Sequence, residues 1–362
     1  MKARNKRSMS MLLSSLALVV LLAGCGGNNG NANSNAGAAP TAAPSASPEA
    51  SDASASEAAA QYPITIKHAF GESVIEAKPE RVVTISWANH DVALALGVVP
   101  VGFSEANYGV QDGSRLLPWT KKKLEELGVT EPNLFQDTDG LDFEAISDAS
   151  PDVILAAYSG ITQEEYDTLS KIAPVVAYQS APWVASWRDQ VMFNAMGMGM
   201  QAEGEQLIKD TEKLIQDTAA AHPELQGKTA AFAFINPADL STLSIYAPGD
   251  PRGDFLGELG MPFPDALASL VTDSFYLQLS AENADALNDT DIIVTYGNAE
   301  LLAALQADPL LGKVPAIARG SVVVVEDNSP LAAAGNPNPL SVAYTIDEYV
   351  GLIGEAAKKI NE

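Results

Sequence analysis

The stretches "EAISDASPDVILAAYSG" (residues 144–160) and "ENADALNDTDIIVTYGN" (residues 282–298) decide how the chain folds. Each opens with a glutamate on a predicted short helix, passes an aspartate and enters a β-branched run. Each then reaches a tyrosine, Tyr158 or Tyr296, fourteen residues after the glutamate. A helix-to-strand unit that recurs at matched spacing is the trace of an internal duplication, so two lobes of similar build are expected.

Working outward, Arg81 to Ser86 reads as a buried strand, Asp91 to Leu96 as a short helix stopped by Gly97, and Val98 to Phe103 as the next strand. Ile64 to Ile66 and Val74 to Glu76, on either side of Gly71, read as an opening hairpin. Strands alternating with helices argue for an α/β fold whose sheets are mainly parallel. Between the duplicated stretches, Gln201 to Ala221 forms the one long helical pattern, with Leu207, Ile208 and Leu214 on a buried face and Pro223 and Gly227 ending it. Its place between the lobes makes it a connector. A last helix, about Ser341 to Ile360, is expected to close the second lobe.

Ligands of parallel sheets gather beyond the carboxyl ends of the strands, where loops converge. Trp87, Tyr158 and Tyr296 each follow a predicted strand and are expected to face one cleft between the lobes.

The N-terminus explains the single cysteine. Lys2, Arg4, Lys6 and Arg7 precede an apolar run, Met11 to Ala23, that is shorter than the ~20 residues a spanning helix needs, so it reads as a removable signal. Leu22-Ala23-Gly24-Cys25 resembles the bacterial lipobox, which makes Cys25 the site of lipidation, with palmitate among the expected modifications. From Gly26 to about Gln61 the chain is Gly, Asn, Ala, Ser, Thr and Pro with a few acids, a composition that cannot bury enough apolar surface to offset its ordering entropy. It is expected to be a disordered tether.

The whole chain carries 21 basic and 46 acidic residues, a net charge of −25, and four of the basic ones leave with the signal. That sign excludes nucleic acid and anionic lipid surfaces as electrostatic partners. With one cysteine there is no intrachain disulfide, so stability must come from packed cores.

"KPERVVTISWANHDVALALGVVPVGF", "SDASPDVILAAYSG", "LSKIAPVVAY" and "LLGKVPAIARGSVVVV", in this order behind a lipobox, resemble the ABC-transporter substrate-binding proteins of the helical-hinge class, and within it the iron-siderophore receptors. The resemblance covers about Tyr62 to Glu362. It implies two α/β lobes joined by one long helix, a shallow cleft and a ligand that leaves chemically unchanged, so no catalytic residue and no cofactor. The implied organisation is a signal peptide over 1–24, a lipidated cysteine with its tether over 25–61, an N-terminal lobe over 62–200, a connecting helix over 201–226 and a C-terminal lobe over 227–362. The implied partners are a ferric siderophore, a membrane permease with its ATPase, and the membrane itself through the lipid anchor on its extracytoplasmic face. A monomer is expected. Glu144 and Glu282 stand where relatives place one permease-docking glutamate per lobe.

A ferric siderophore already satisfies its metal, so its receptor needs aromatic walls and a few donors in place of metal ligands. The candidates are Trp87, Tyr108, Tyr158, Trp187, Arg188, Tyr246, Arg252, Phe275, Tyr276 and Tyr296. The arginines matter because a planar guanidinium can fork onto paired oxygens. Hydroxamate receptors carry an arginine in the loop before the docking glutamate, where this chain has "QDTDGLD", and "AAGNPNPLS" near the end matches neither hydroxamate nor catecholate receptors. The siderophore type is therefore open, and a receptor of the same fold for haem or cobalamin is the alternative. Direct metal capture is disfavoured because His68, His90 and His222 are scattered. No G-x-S-x-G, P-loop or H-E-x-x-H pattern supports an enzyme.

Overall fold

The computed structural model describes residues 60–272 and 274–361. Cys25, the signal and most of the tether lie outside them. A hairpin, β1 (Ile64–His68) and β2 (Gly71–Ile75), comes first, turning at Ala69 and Phe70 one step before Gly71, whose φ of 125° few side chains tolerate. It sits beside a sheet of five parallel strands: β3 (Val82–Thr84), β4 (Gly102–Ser104), β5 (Leu134–Phe135), β6 (Val153–Ala156) and β7 (Val175–Ala177). Their order is β5-β4-β3-β6-β7. These strands are buried almost throughout, because helices cover both faces of a parallel sheet.

After the helix Gln201–Ala221 a second sheet is built from β8 (Ala230–Ile235), β9 (Thr242–Tyr246), β10 (Tyr276–Ser280), β11 (Ile292–Gly297) and β12 (Val322–Glu326), in the order β10-β9-β8-β11-β12. The two orders match strand for strand, with β6 and β11, the strands that carry the duplicated stretches, in the same place. The directions do not all match. β11 pairs in parallel with β8 and β12, whereas β9 runs antiparallel to both β8 and β10. The second sheet is therefore mixed.

Several local readings change, and the strand read over Arg81 to Ser86 forms only over Val82–Thr84. The segment Val98–Phe103 is strand only over Gly102–Ser104, and the helix after Glu282 is a 3₁₀ turn, Ala281–Leu287. The last helix spans Pro339–Lys358, begun by Asn338, whose side chain accepts from Leu340 N and Ser341 N. That helix does more than close the second lobe: it packs against Asn89–Ala95, Pro118–Glu126 and Gln201–Ala221 as well as β11 and β12.

One hydrophobic core consequently crosses between the lobes, uniting Val92, Trp187 and Val191 with Phe232, Leu256, Val342 and Ile346. The long helix, 21 residues and so roughly 30 Å, buries Gly204, Thr211, Ile215 and Ala219 in this region, with Leu207, Ile208 and Leu214 flanking them. Asp91, 0% exposed, fastens the same junction by accepting from Trp119 Nε1 (2.7 Å), Thr120 Oγ1 (2.6 Å) and Asn338 Nδ2 (3.0 Å). Low-dielectric surroundings make such a satisfied carboxylate a rigid tie. The lobes are therefore joined by a packed seam as well as by a helix.

Candidate functional site

Between the lobes opens a cleft of about 700 Å³. On the N-terminal side it is lined from four successive strand ends: Ser86 and Trp87 follow β3, Glu105 follows β4, Asp137 follows β5 and Tyr158 follows β6. On the other side stand Tyr246, Arg252, Phe275 and Tyr296, with Ala332, Ala333 and Asn336 at the lobe junction.

Asn89, 1% exposed, organises the first wall. Its Nδ2 donates to Ile85 O (2.8 Å) and Tyr158 O (2.9 Å), while its Oδ1 accepts from Tyr158 N (3.1 Å) and Asn194 Nδ2 (2.9 Å). One amide thus locks the exit of β3 to the exit of β6. Between them Ser86 and Ala88 adopt φ of 63° and 62°, a conformation that costs non-glycine residues energy and here aims Trp87 at the cleft. Tyr158 OH reaches across to Asn336 Oδ1 (3.1 Å), and burial pushes its pKa up to about 12 against the opposing pull of Arg252. It is a neutral donor and an apolar wall at any ordinary pH.

On the second wall, the Asp250 side chain accepts from Arg252 N (2.9 Å), capping Pro251–Glu258. The Arg252 guanidinium forks back onto the same carboxylate through Nε (2.8 Å) and Nη2 (2.6 Å), and lies 3.8 Å over the Tyr246 ring. Burial works against its charge, but the Asp250 hydrogen bonds and charge win and its pKa is raised. Burial also raises Tyr246 and Tyr296. This wall offers fixed N–H and O–H donors framed by rings.

Of the residues expected at the cleft, Trp87, Tyr108, Tyr158, Tyr246, Arg252, Phe275 and Tyr296 line it. Tyr276 stands next to Phe275, exposed, and is not part of the lining. Tyr108 is divided between two tasks, since its OH donates to Asp327 Oδ1 (2.6 Å) and accepts from Asn328 N (3.1 Å), holding the lobes together. Burial and the Asp327 bond raise its pKa to about 12. Trp187 and Arg188 lie elsewhere. Trp187 is 2% exposed with Nε1 on Glu258 Oε1 (3.0 Å), and Arg188 pairs with Glu258 (2.8 Å) and Glu212 (2.6 Å). Both belong to the seam beside the connecting helix, because they open a helix, Trp187–Gly197, that packs against it.

Sequence reasoning missed Trp183. It is 48% exposed at the cleft rim, meets Tyr158 edge-on at 5.4 Å and is held by its N donating to Ser159 O (2.9 Å), with φ of 60°. Gly160 makes room for it, since a Cβ there would fall 2.3 Å from Trp183 Nε1. The Pro182-Trp183 pair in the loop after β7 was the available signal. Glu105, Asp137 and Glu165 were missed as well. Burial raises Asp137 while the Ser104 hydroxyl bond opposes it, Glu105 pairs with Arg115 (2.8 Å), and Glu165 accepts from Thr162 N (2.7 Å).

Glu144 and Glu282 are exposed, each in the first turn of a short helix, and neither carboxylate makes an ion pair among the described residues. His68 bonds Ser73 (3.0 Å), His222 bonds Glu224 (2.9 Å) and His90 is buried against Phe103. No cluster of three or more metal-ligating side chains occurs among the described residues, nor any helix long and apolar enough to cross a membrane.

Two sheets of like strand order, a helix between them and a donor-studded aromatic cleft define a solute-binding protein. Residues 82–328 match the family model described as "Periplasmic binding protein", and the chain belongs to that family. PiaA of Streptococcus pneumoniae, solved in complex with ferrichrome, is 54% identical with a TM-score of 0.79, covering 82% of this chain and 99% of that one. SirA of Staphylococcus aureus, solved with staphyloferrin B, is 25% identical with a TM-score of 0.62, covering 80% and 98%. The probable siderophore-binding lipoprotein YfiY of Bacillus subtilis is 26% identical over 303 residues, 80% of this chain and 79% of that protein.

Proposed function

We propose that this protein is a lipid-anchored receptor that captures a ferric siderophore in the interlobe cleft and delivers it to an ABC permease for iron uptake. The observation that carries the reading is the wall made by Trp87, Tyr158, Tyr246, Tyr296 and the forked Arg252, in a cleft of about 700 Å³. Ring faces cover a bulky chelate, and the arginine and tyrosine donors meet its outward oxygens, with no side chain needed on the iron itself. The 54% identity to a ferrichrome-bound protein favours a hydroxamate guest. No bond of the guest is broken, so the role is transport and not catalysis. Cys25 carries the anchor, residues 25–61 the tether, and Glu144 and Glu282 the permease contacts.

Titration of the protein with ferrichrome, a ferric catecholate, a ferric citrate, haem and cobalamin, followed by tryptophan fluorescence, tests the assignment. Saturable quenching by ferrichrome is expected; a response to haem or cobalamin alone overturns it. Replacing Glu144 and Glu282 together by alanine should leave that titration unchanged while cellular uptake is lost, because exposed ion pairs are individually weak and docking depends on several at once. Undiminished uptake would remove both from docking.

A further inference from the structure

The cleft sorts its charges between two walls, and the sorting restricts what can enter. Arg252 is the one basic side chain among the described residues lining it. Its charge is already cancelled: Asp250, 3% exposed, takes both prongs of the guanidinium at 2.8 and 2.6 Å. What Arg252 presents to the cleft is therefore hydrogen-bond donors without net charge.

The facing wall is acidic. Glu105 has a counter-ion in Arg115, but Asp137 is met by the Ser104 hydroxyl and Glu165 by the Thr162 N and Oγ1 groups, none of them cationic. The paired Arg252 and Asp250 sum to zero, so the lining as a whole is negative, within a chain of net charge −25.

Resting on the siderophore reading above, we propose that the cleft selects ferric chelates by charge, admitting neutral and cationic complexes and rejecting anionic ones, with Asp250 as the residue that silences Arg252. A neutral tris-hydroxamate needs donors to its carbonyl-type oxygens, which Arg252 and Tyr296 supply. A complex with surplus negative charge must approach Asp137 and Glu165 with no free cation to offset them. For an assumed separation of roughly 8 Å and an effective dielectric of about 20, each such repulsion weakens binding by on the order of tenfold or more.

The test uses the full chain and three probes: ferrichrome (neutral), ferrioxamine B (cationic) and ferric enterobactin (trianionic). The first two should bind, and the third should bind at least ~100-fold more weakly, with the gap narrowing as salt rises. Asp250→Asn should uncover the arginine and shift the enterobactin-to-ferrichrome affinity ratio upward by about tenfold. Because Asp250 also caps a helix, Asp137→Asn, which touches no cap, is the second variant and should move the ratio the same way. A ratio is insensitive to a general loss of folded protein. Equal affinity for all three probes, or a ratio unmoved in both variants, overturns the charge selection while leaving the siderophore reading in place. Failure of every probe to bind overturns both.

Discussion

The two walls of the cleft reach the same place by different routes. In the N-terminal lobe every lining strand end, after β3, β4, β5 and β6, belongs to a parallel sheet, so side chains converge by topology alone. In the C-terminal lobe β9 runs against β8, and the reversal brings Tyr246 at its exit level with Tyr276 at the entry of β10. Phe275 and Arg252, just outside those strands, enter the cleft from there. The first wall carries Asp137 and Glu165, held by neutral groups, beside a Glu105 paired with Arg115; the second carries a cation held by a carboxylate. Duplication of strand order thus does not duplicate chemistry, because a single change of strand direction decides which loop faces the guest.

The comparison breaks first at Arg252. Arg252→Ala leaves the Asp250 carboxylate buried and unpaired, and should lower unfolding free energy by about 3–5 kcal/mol in chemical denaturation while abolishing measurable capture of ferrichrome. Stability within 1 kcal/mol of the parent's, roughly the worth of an exposed pair, would mean that the second wall is not organised by that pair.

Asn89→Ala tests the first wall, where a neutral amide does the organising. Four buried partners lose their bond, so a cost on the order of 3 kcal/mol is expected, together with weaker ligand binding through a loosened Trp87 and Tyr158. Intact affinity in a destabilised variant would separate the framework from the site.

His90 makes the first wall acid-sensitive. It is buried beside Asp91 and Asp137, 6% exposed, and burial lowers its pKa below the ordinary 6.5. The unfolded chain therefore binds the proton more readily, so stability present above pH 6.5 is lost as pH falls from there through the folded-state value, by no more than about 1.4 kcal/mol per pH unit. His90→Gln should flatten that slope in denaturation curves taken between neutral and mildly acidic pH; an unchanged slope would assign the acid loss to other groups.

The smallest effect concerns the rim. Gly160→Ala must displace Trp183, and loss of its edge contact with Tyr158 should weaken ligand binding by ~1 kcal/mol, a several-fold change, with thermal stability nearly unaltered. Unaltered affinity would mark Trp183 as a bystander at the mouth.

Much of this site was legible in the sequence because strand ends are. Trp87, Tyr158 and Tyr296 could be placed from the β-branched runs before them, and seven of the ten residues expected at the cleft line it. Trp187 and Arg188 read equally well as aromatic and cationic candidates, yet their partner Glu258 lies 71 and 70 residues away, a distance over which no local pattern reports. Asn89 gave no signal at all, since a polar residue opening a helix is ordinary until its four partners are seen around it.

By itself the amino-acid order determined the α/β alternation, the two-lobe plan, the long connector and the aromatic character of the cleft, because periodicity and strand-end position are properties of neighbouring residues. The direction of β9, the seam that binds the last helix to both lobes, and the choice of Asp250 over Asp254 as the carboxylate that cancels Arg252 were decided only in the tertiary structure. Strand direction and the seam depend on contacts between distant residues. The cancellation depends on burial, which turns a neighbouring arginine and aspartate from a solvated pair into a fixed one.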